Sequence, residues 1–293
     1  MIQISEFVEQ LSNRQDYTIS GETFINETPV KYATVFDGHG TNDVIQFIRR
    51  ISKLKMNDIM ATVCPATTLY NYINSFKVCQ PGRSSGSTMC MARIFPGYVE
   101  IINVGDSQAV VFKNGNLEFV SETHDYENDA EMARLTREGR IVKTMDSKTI
   151  KIVNEKKMFY MKFKYIIYME ASGLLAVTQA LGHAGKTGIC PTRTEIPYIA
   201  GKDDVRIILG SDGVFDMILR DVDENDQFIV SDIMEMMDMS SEEIGKRACD
   251  RWIQSWEMHY DVDNPSLYEV ANYGNEDMDD VSVVKIVISS GIP

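Results

Sequence analysis

Cysteine is scarce and poorly placed for cross-linking. The 293 residues include five, Cys64, Cys79, Cys90, Cys190 and Cys249, an odd and scattered set with no C-x-x-C spacing, which argues against a disulfide framework or a thiolate zinc site. Proline and glycine are also sparse, 8 and 19 residues, too few for a collagen-like or low-complexity chain. Positive charge is in short supply: 29 Lys and Arg against 43 Asp and Glu leave a net charge of -14, a field that repels nucleic acid and anionic membranes. No apolar run reaches the roughly 18 residues that would cross a bilayer. Residues 1–6 lack the basic flank and apolar stretch of a signal peptide. The expectation is a soluble protein of the cytoplasm or nucleus, with no nucleic-acid or membrane partner. What is present, 44% hydrophobic and 25% charged residues, is the composition of a globular chain long enough to bury a large core. The 17 methionines read as irregular core filler.

Strand-like runs rich in Val, Ile and aromatic residues occupy 31–36, 88–95, 99–104, 109–113, 117–120, 205–209 and 281–288. Asn114-Gly115 lies between two of them and supplies the positive φ angles of a tight hairpin. Helical periodicity predicts helices over 42–54, 67–76 and 129–138. Ser240 and Glu243 form a capping box ahead of a stripe of Ile244, Ala248, Trp252 and Trp256, which predicts a helix ending near His259. Clustered strands and separated helices favour antiparallel sheets flanked by helices over a doubly wound parallel sheet. The acidic stretches 221–226 and 261–280 read as loops. Between Arg140 and Gly173, basic and apolar residues alternate from Lys156 to Tyr165 as on an exposed strand or hairpin. Such a strand is either a partner site or an edge whose lysines discourage aggregation.

Four segments share one pattern, an apolar strand running into an Asp beside Gly or Ser: Asp37-Gly38-His39-Gly40, Gly105-Asp106-Ser107, Ser211-Asp212-Gly213 and Asp279-Asp280-Val281-Ser282. Each alone reads equally as a turn. Carboxylates held at strand ends and converging on one sheet edge would repel unless protonated or bound to cations. An all-oxygen donor set selects hard ions, Mg²⁺ or Mn²⁺, over Zn²⁺. Gly38 adds a backbone carbonyl that an ion can approach closely. His39, one of four histidines, is placed either to give a proton to a leaving group or simply to bond the loop backbone.

These residues resemble the metal-dependent serine/threonine protein phosphatases of the 2C class. The match runs in order through Asn13-Arg14-Gln15-Asp16, Asp37-Gly38-His39-Gly40, Gly86-Ser87-Thr88, Val104-Gly105-Asp106-Ser107, the run from Leu175 to Gly182, Ser211-Asp212-Gly213-Val214-Phe215-Asp216 and Asp279-Asp280-Val281-Ser282. The resemblance implies an α+β fold of two packed antiparallel β-sheets flanked by α-helices, a single catalytic domain over 1–293 with a surface insertion around 141–172, and a monomer acting on a phosphoprotein. It implies that Asp37 bridges two Mg²⁺ or Mn²⁺ ions, with Asp212 and Asp279 on one and the Gly38 carbonyl on the other. Asp106, Asp216 and Asp212 match a weaker third site, Asp16 and Gln15 match positions that hold metal-bound water, and His39 matches the general acid. Ions about 3.5 to 4 Å apart lower the pKa of a bridging water for in-line attack on phosphoserine or phosphothreonine. Departures from the pattern are Leu11 where an Arg usually grips phosphate, Gln179 where Arg is usual and His183 where Asp is usual. They raise the alternative of a pseudophosphatase, an interaction module with weak or no turnover.

Overall fold

Ala109 and Val111, Val205, Ile207 and Leu209, and Val284 and Ile286 alternate along three neighbouring strands, and all are buried in one apolar cluster with Ala33, Val35, Cys90, Ala92, Val99 and Ile101 of a second sheet. A period of two puts alternate side chains on opposite faces, so this cluster is the seam between two packed sheets. The computed structural model describes the chain except residues 12, 79–83, 169–173, 219–220, 223–227, 230, 260–266, 276 and 290–293. The first sheet runs Ile2–Glu9, Val281–Ile288, Val205–Gly210, Gln108–Lys113, Asn116–Val120, and the second runs Thr192–Pro197, Tyr98–Val104, Met89–Phe95, Thr28–Phe36, Tyr17–Ile25. Every pairing in both is antiparallel.

The intervening residues face outward onto helices. Val110, Phe112, Ile208, Val281 and Val283 pack with Ile244, Ala248 and Trp252 of the helix Ser241–Ile253. Tyr32, Phe36, Met89, Met91 and Ile102 pack with Val44, Ile48, Met56, Ile59, Leu69 and Ile73 of three helices, Asp43–Arg50, Lys53–Met60 and Pro65–Ser75. Burial on both faces explains why Met89–Phe95 and Val281–Ile288 are apolar almost without interruption. The expected α+β sandwich is the observed fold. Asn114 and Gly115 turn at φ 53° and 80° between Gln108–Lys113 and Asn116–Val120, as the dipeptide predicts.

Other expectations are corrected. The helix predicted over 42–54 is two, because Ile51 is extended (φ -63°, ψ 126°) and the Ser52 hydroxyl accepts from the Lys55 N–H to start Lys53–Met60. The capping box at Ser240 forms as expected, but its helix ends at Ile253. Gln254 is extended (ψ 165°), and Trp256–His259 is a strand. Trp256 is buried there, its Nε1 donating to the Arg251 carbonyl, so its place in the helical stripe is a coincidence of spacing. The 261–280 stretch contains the strand Tyr268–Ala271, with 261–266 and 276 outside the described residues. Of 221–226, Asp221–Val222 pairs with Phe228–Ile229, and the rest of that loop expectation lies outside the described residues. Cys79 lies outside them too, while Cys64, Cys90, Cys190 and Cys249 are free thiols. Among the described residues no helix is long and apolar enough to cross a membrane.

Between Arg140 and Gly173 stands a long antiparallel hairpin, Ile141–Asn154 with Lys157–Tyr168. Its turn end is pinned to the body: Lys157–Phe159 pair in parallel with the strand Trp256–His259, and Glu155 accepts from Arg251 at 3.1 Å. Its base is pinned as well, since Ile166 is buried with Leu135 and Leu175. Lys157–Tyr168 is therefore paired along one side and at both ends of the other, not a plain edge strand.

Candidate metal centre

Both sheets send acidic residues to one end of the sandwich. Asp37 follows the strand Thr28–Phe36, and its carbonyl accepts from Thr88 N–H at 2.8 Å. Asp106 follows Tyr98–Val104 after Gly105, whose φ of 93° is the left-handed backbone glycine adopts without strain. His124 clamps this turn, its Nδ1 accepting from Gly105 N–H at 3.1 Å while its main-chain N–H donates to the Gly105 carbonyl at 2.9 Å. Asp212 opens the short helix Asp212–Phe215 behind the strand Val205–Gly210, and Asp216 closes it. Asp279 and Asp280 precede Val281–Ile288. Asp16 lies between Ile2–Glu9 and Tyr17–Ile25, buried beside Ser282 and Ser211.

Carboxylate oxygens of Asp37, Asp106 and Asp212 lie within 4.8 Å of one another. Asp16 and Asp279 join them electrostatically, as does Asp216 through Asp106, Asp212 and Asp279. Burial, then the charges of Asp212, Asp16 and Asp279, hold the Asp37 carboxyl well above the usual range. Burial and Asp279 push Asp16 up to about 8, and burial and Asp106 push Asp212 up to about 8. Asp106 rises to about 7 through burial and Asp216, and Asp279 rises well above its ordinary value through burial and Asp212. Six acids that oppose one another's ionisation form a site short of positive charge. Among the described residues, Asp16 Oδ2 and Asp212 Oδ1 are buried with no hydrogen-bond partner. Orphaned carboxylate oxygens in an all-oxygen cluster fit hard divalent cations, and nothing in the set favours a soft one.

Gly38 is buried beside Asp37, its N–H donating to the Gln15 carbonyl at 3.1 Å. The Gln15 side chain donates to the Gly40 carbonyl at 2.9 Å, and the Gln15 N–H donates to Asp280 Oδ2 at 2.7 Å. His39 stands one residue further on. Burial lowers its pKa to about 4, which leaves the ring neutral at pH 7. Its Nε2 lies 2.7 Å from Nε2 of His183.

Two departures from the resembled pattern have structural roles. Gln179 is buried and brackets Cys190, accepting from its N–H at 2.8 Å and donating to its carbonyl at 3.0 Å. Leu11 packs against the apolar cluster of Val214, Phe215 and Trp252, so no cation stands at that position. Sequence reasoning missed the clamp by His124 and the serines beside Asp16. Their only signal was that each sits a few residues from a strand end.

A family model described as Protein phosphatase 2C matches residues 2–254 of the chain. An Arabidopsis thaliana protein named probable protein phosphatase 2C 27 is 26% identical over 201 residues, 63% of this chain and 46% of its own length. The chain spans about half the length of the curated relatives it matches. Among solved structures, an S. agalactiae serine/threonine phosphatase is similar in fold with a TM-score of 0.56 at 14% identity, covering 99% of this chain and 100% of the other. A C. elegans sex determining protein reaches the same TM-score of 0.56 at 16% identity, over 98% of this chain and 65% of its own.

Proposed function

Because the chain belongs to the protein phosphatase 2C family, whose members are generally serine/threonine phosphatases, we propose that it hydrolyses phosphoserine and phosphothreonine in proteins with Mg²⁺ or Mn²⁺ held by its carboxylate cluster. The observation that carries this reading is the meeting of Asp37, Asp106 and Asp212 oxygens within 4.8 Å in a chain of this family. Asp37, Asp212, Asp279 and the Gly38 carbonyl are the proposed holders of two ions, and Asp106, Asp216 and Asp212 those of a weaker third. When bound, such ions neutralise phosphoryl charge and supply a nucleophilic water at neutral pH.

The chain's own residues do the rest. Asp16, buried and raised to about 8, is a hydrogen-bond partner for a water at the cluster, and the Gln15 main chain ties that segment to Asp280. His39 serves the leaving group, its neutral ring giving a hydrogen bond to the seryl or threonyl oxygen. Residues 1–293 are read as one catalytic domain, acting as a monomer, with the hairpin around 141–172 inserted at its surface. Leu11 favours a second reading, weak turnover or a pseudophosphatase, because its apolar packing removes the cation that would grip phosphate.

Phosphate release from a phosphoserine peptide, measured with Mn²⁺ and with excess EDTA, tests the first reading. Turnover should require metal, and Asp37→Asn should lower it by about 10²-fold or more, the rate equivalent of several kcal/mol of lost charge stabilisation, with folding retained. Equal turnover in chelator would overturn the reading.

A further inference from the structure

His183 is buried, and both of its ring nitrogens are engaged: Nε2 at 2.7 Å from His39 Nε2, and Nδ1 at 2.8 Å from Ser84 Oγ. The two rings meet edge to edge, with centroids 4.8 Å apart and planes at 22°. Backbone register creates the pair. Gly86 sits opposite His39 in one ladder and opposite Gly182 in the next, so the strands Gly38–Gly40 and Leu181–Gly182 flank it on either side. A Cβ on Gly86 would fall 2.1 Å from His183 Nε2 and 2.7 Å from His39 Nε2, so only glycine leaves the rings room to meet. His183 and Ala184 have φ of 46° and 52° between Gly182 at 88° and Gly185 at 77°. A left-handed run that includes two non-glycine residues persists only where surrounding contacts over-determine it.

One hydrogen must lie between the two Nε2 atoms, and two directions satisfy the distances. In the first, His39 Nε2–H donates to His183, whose Nδ1–H donates to Ser84. In the second, the Ser84 hydroxyl donates to His183 Nδ1 and His183 Nε2–H donates to His39 Nε2. Only the second leaves the proton of a neutral His39 on Nδ1, the nitrogen that faces no protein partner among the described residues.

We propose that His183 is a positioning residue for His39: the chain Ser84 O–H to His183 Nδ1, then His183 Nε2–H to His39 Nε2, fixes the His39 ring as its Nδ1–H tautomer, with that donor turned to the substrate oxygen. This rests on the reading of His39 as the group that serves the leaving oxygen.

Ring-nitrogen NMR on metal-free, ¹⁵N-histidine-labelled protein reads the tautomer without any turnover. His39 should carry its proton on Nδ1 in the parent. His183→Asp, which can only accept, should move it to Nε2, and Ser84→Ala should release the His183 tautomer. A parent His39 protonated on Nε2, or one unchanged by His183→Asp, overturns the proposal. Turnover gives a second reading. A phosphoserine peptide needs help at its leaving oxygen, whereas p-nitrophenyl phosphate does not. His183→Ala should therefore slow the peptide about tenfold to a hundredfold and the aryl ester less than about twofold, with His183→Gln, an amide donor, restoring much of the loss. Equal losses on both esters would mark a merely structural role and overturn the proposal. If the parent hydrolyses neither ester with metal, the phosphatase reading has failed, and the NMR result still decides the pairing.

Discussion

Gly213 has no room for a side chain, since a Cβ there would sit 2.0 Å from the Asp280 carbonyl oxygen. The close approach lets the helix Asp212–Phe215 lie against the segment carrying Asp279, while Trp252 Nε1 donates to the Gly213 carbonyl from behind at 2.8 Å. Gly213→Ala should push Asp212 away from Asp279 and lower Mn²⁺ affinity about tenfold or more by calorimetry, with most of the fold's stability retained. Unchanged affinity would show that the two carboxylates need not be so close. The acids themselves were legible in the sequence because each stands where a rigid apolar strand stops beside Gly or Ser. The pairing of His39 with His183 was not, because those residues are 144 positions apart and meet only through two strand ladders sharing Gly86.

Strands buried on both faces announce themselves as apolar runs, which is why Met89–Phe95 and Val281–Ile288 could be read directly. Ile2–Glu9 and Tyr17–Ile25 could not: they lie at the sheet edges, partly exposed, with Ser, Glu and Gln breaking the pattern. The division of 42–54 into two helices was hidden for a different reason, since apolar spacing continues across Ile51 while the chain direction changes. One charged residue inside a central strand has a cost that can be measured. Arg93, buried in Met89–Phe95, pairs with buried Glu100 and donates to the carbonyls of Met60 and Thr62 at the end of the helix Lys53–Met60. Arg93→Met should destabilise the protein by about 3–5 kcal/mol in urea unfolding, because Glu100 loses this partner and helix-end carbonyls lose their donor. The double change with Glu100→Leu should recover much of that loss.

At the scale of the whole molecule, an acidic chain concentrates six mutually repelling carboxylates where its two sheets end. Asp16 and Asp212 have folded-state pKa values of about 8 against 3.8 in their ordinary state. Between those values the folded protein binds more protons than the unfolded chain, so unfolding free energy falls as pH rises through this window. In EDTA, Tm should therefore be lower at pH 8 than at pH 5 by more in the parent than in Asp212→Asn, and Mn²⁺ should raise Tm most at pH 8. A parent and variant with parallel pH profiles would refute this. The same placement has a mechanical side. Asp37 hangs from one sheet, and Asp212 and Asp279 from the other. An ion gripping both is a buckle across the two halves, so loading would toughen the sandwich against being pried open even far from the chemistry.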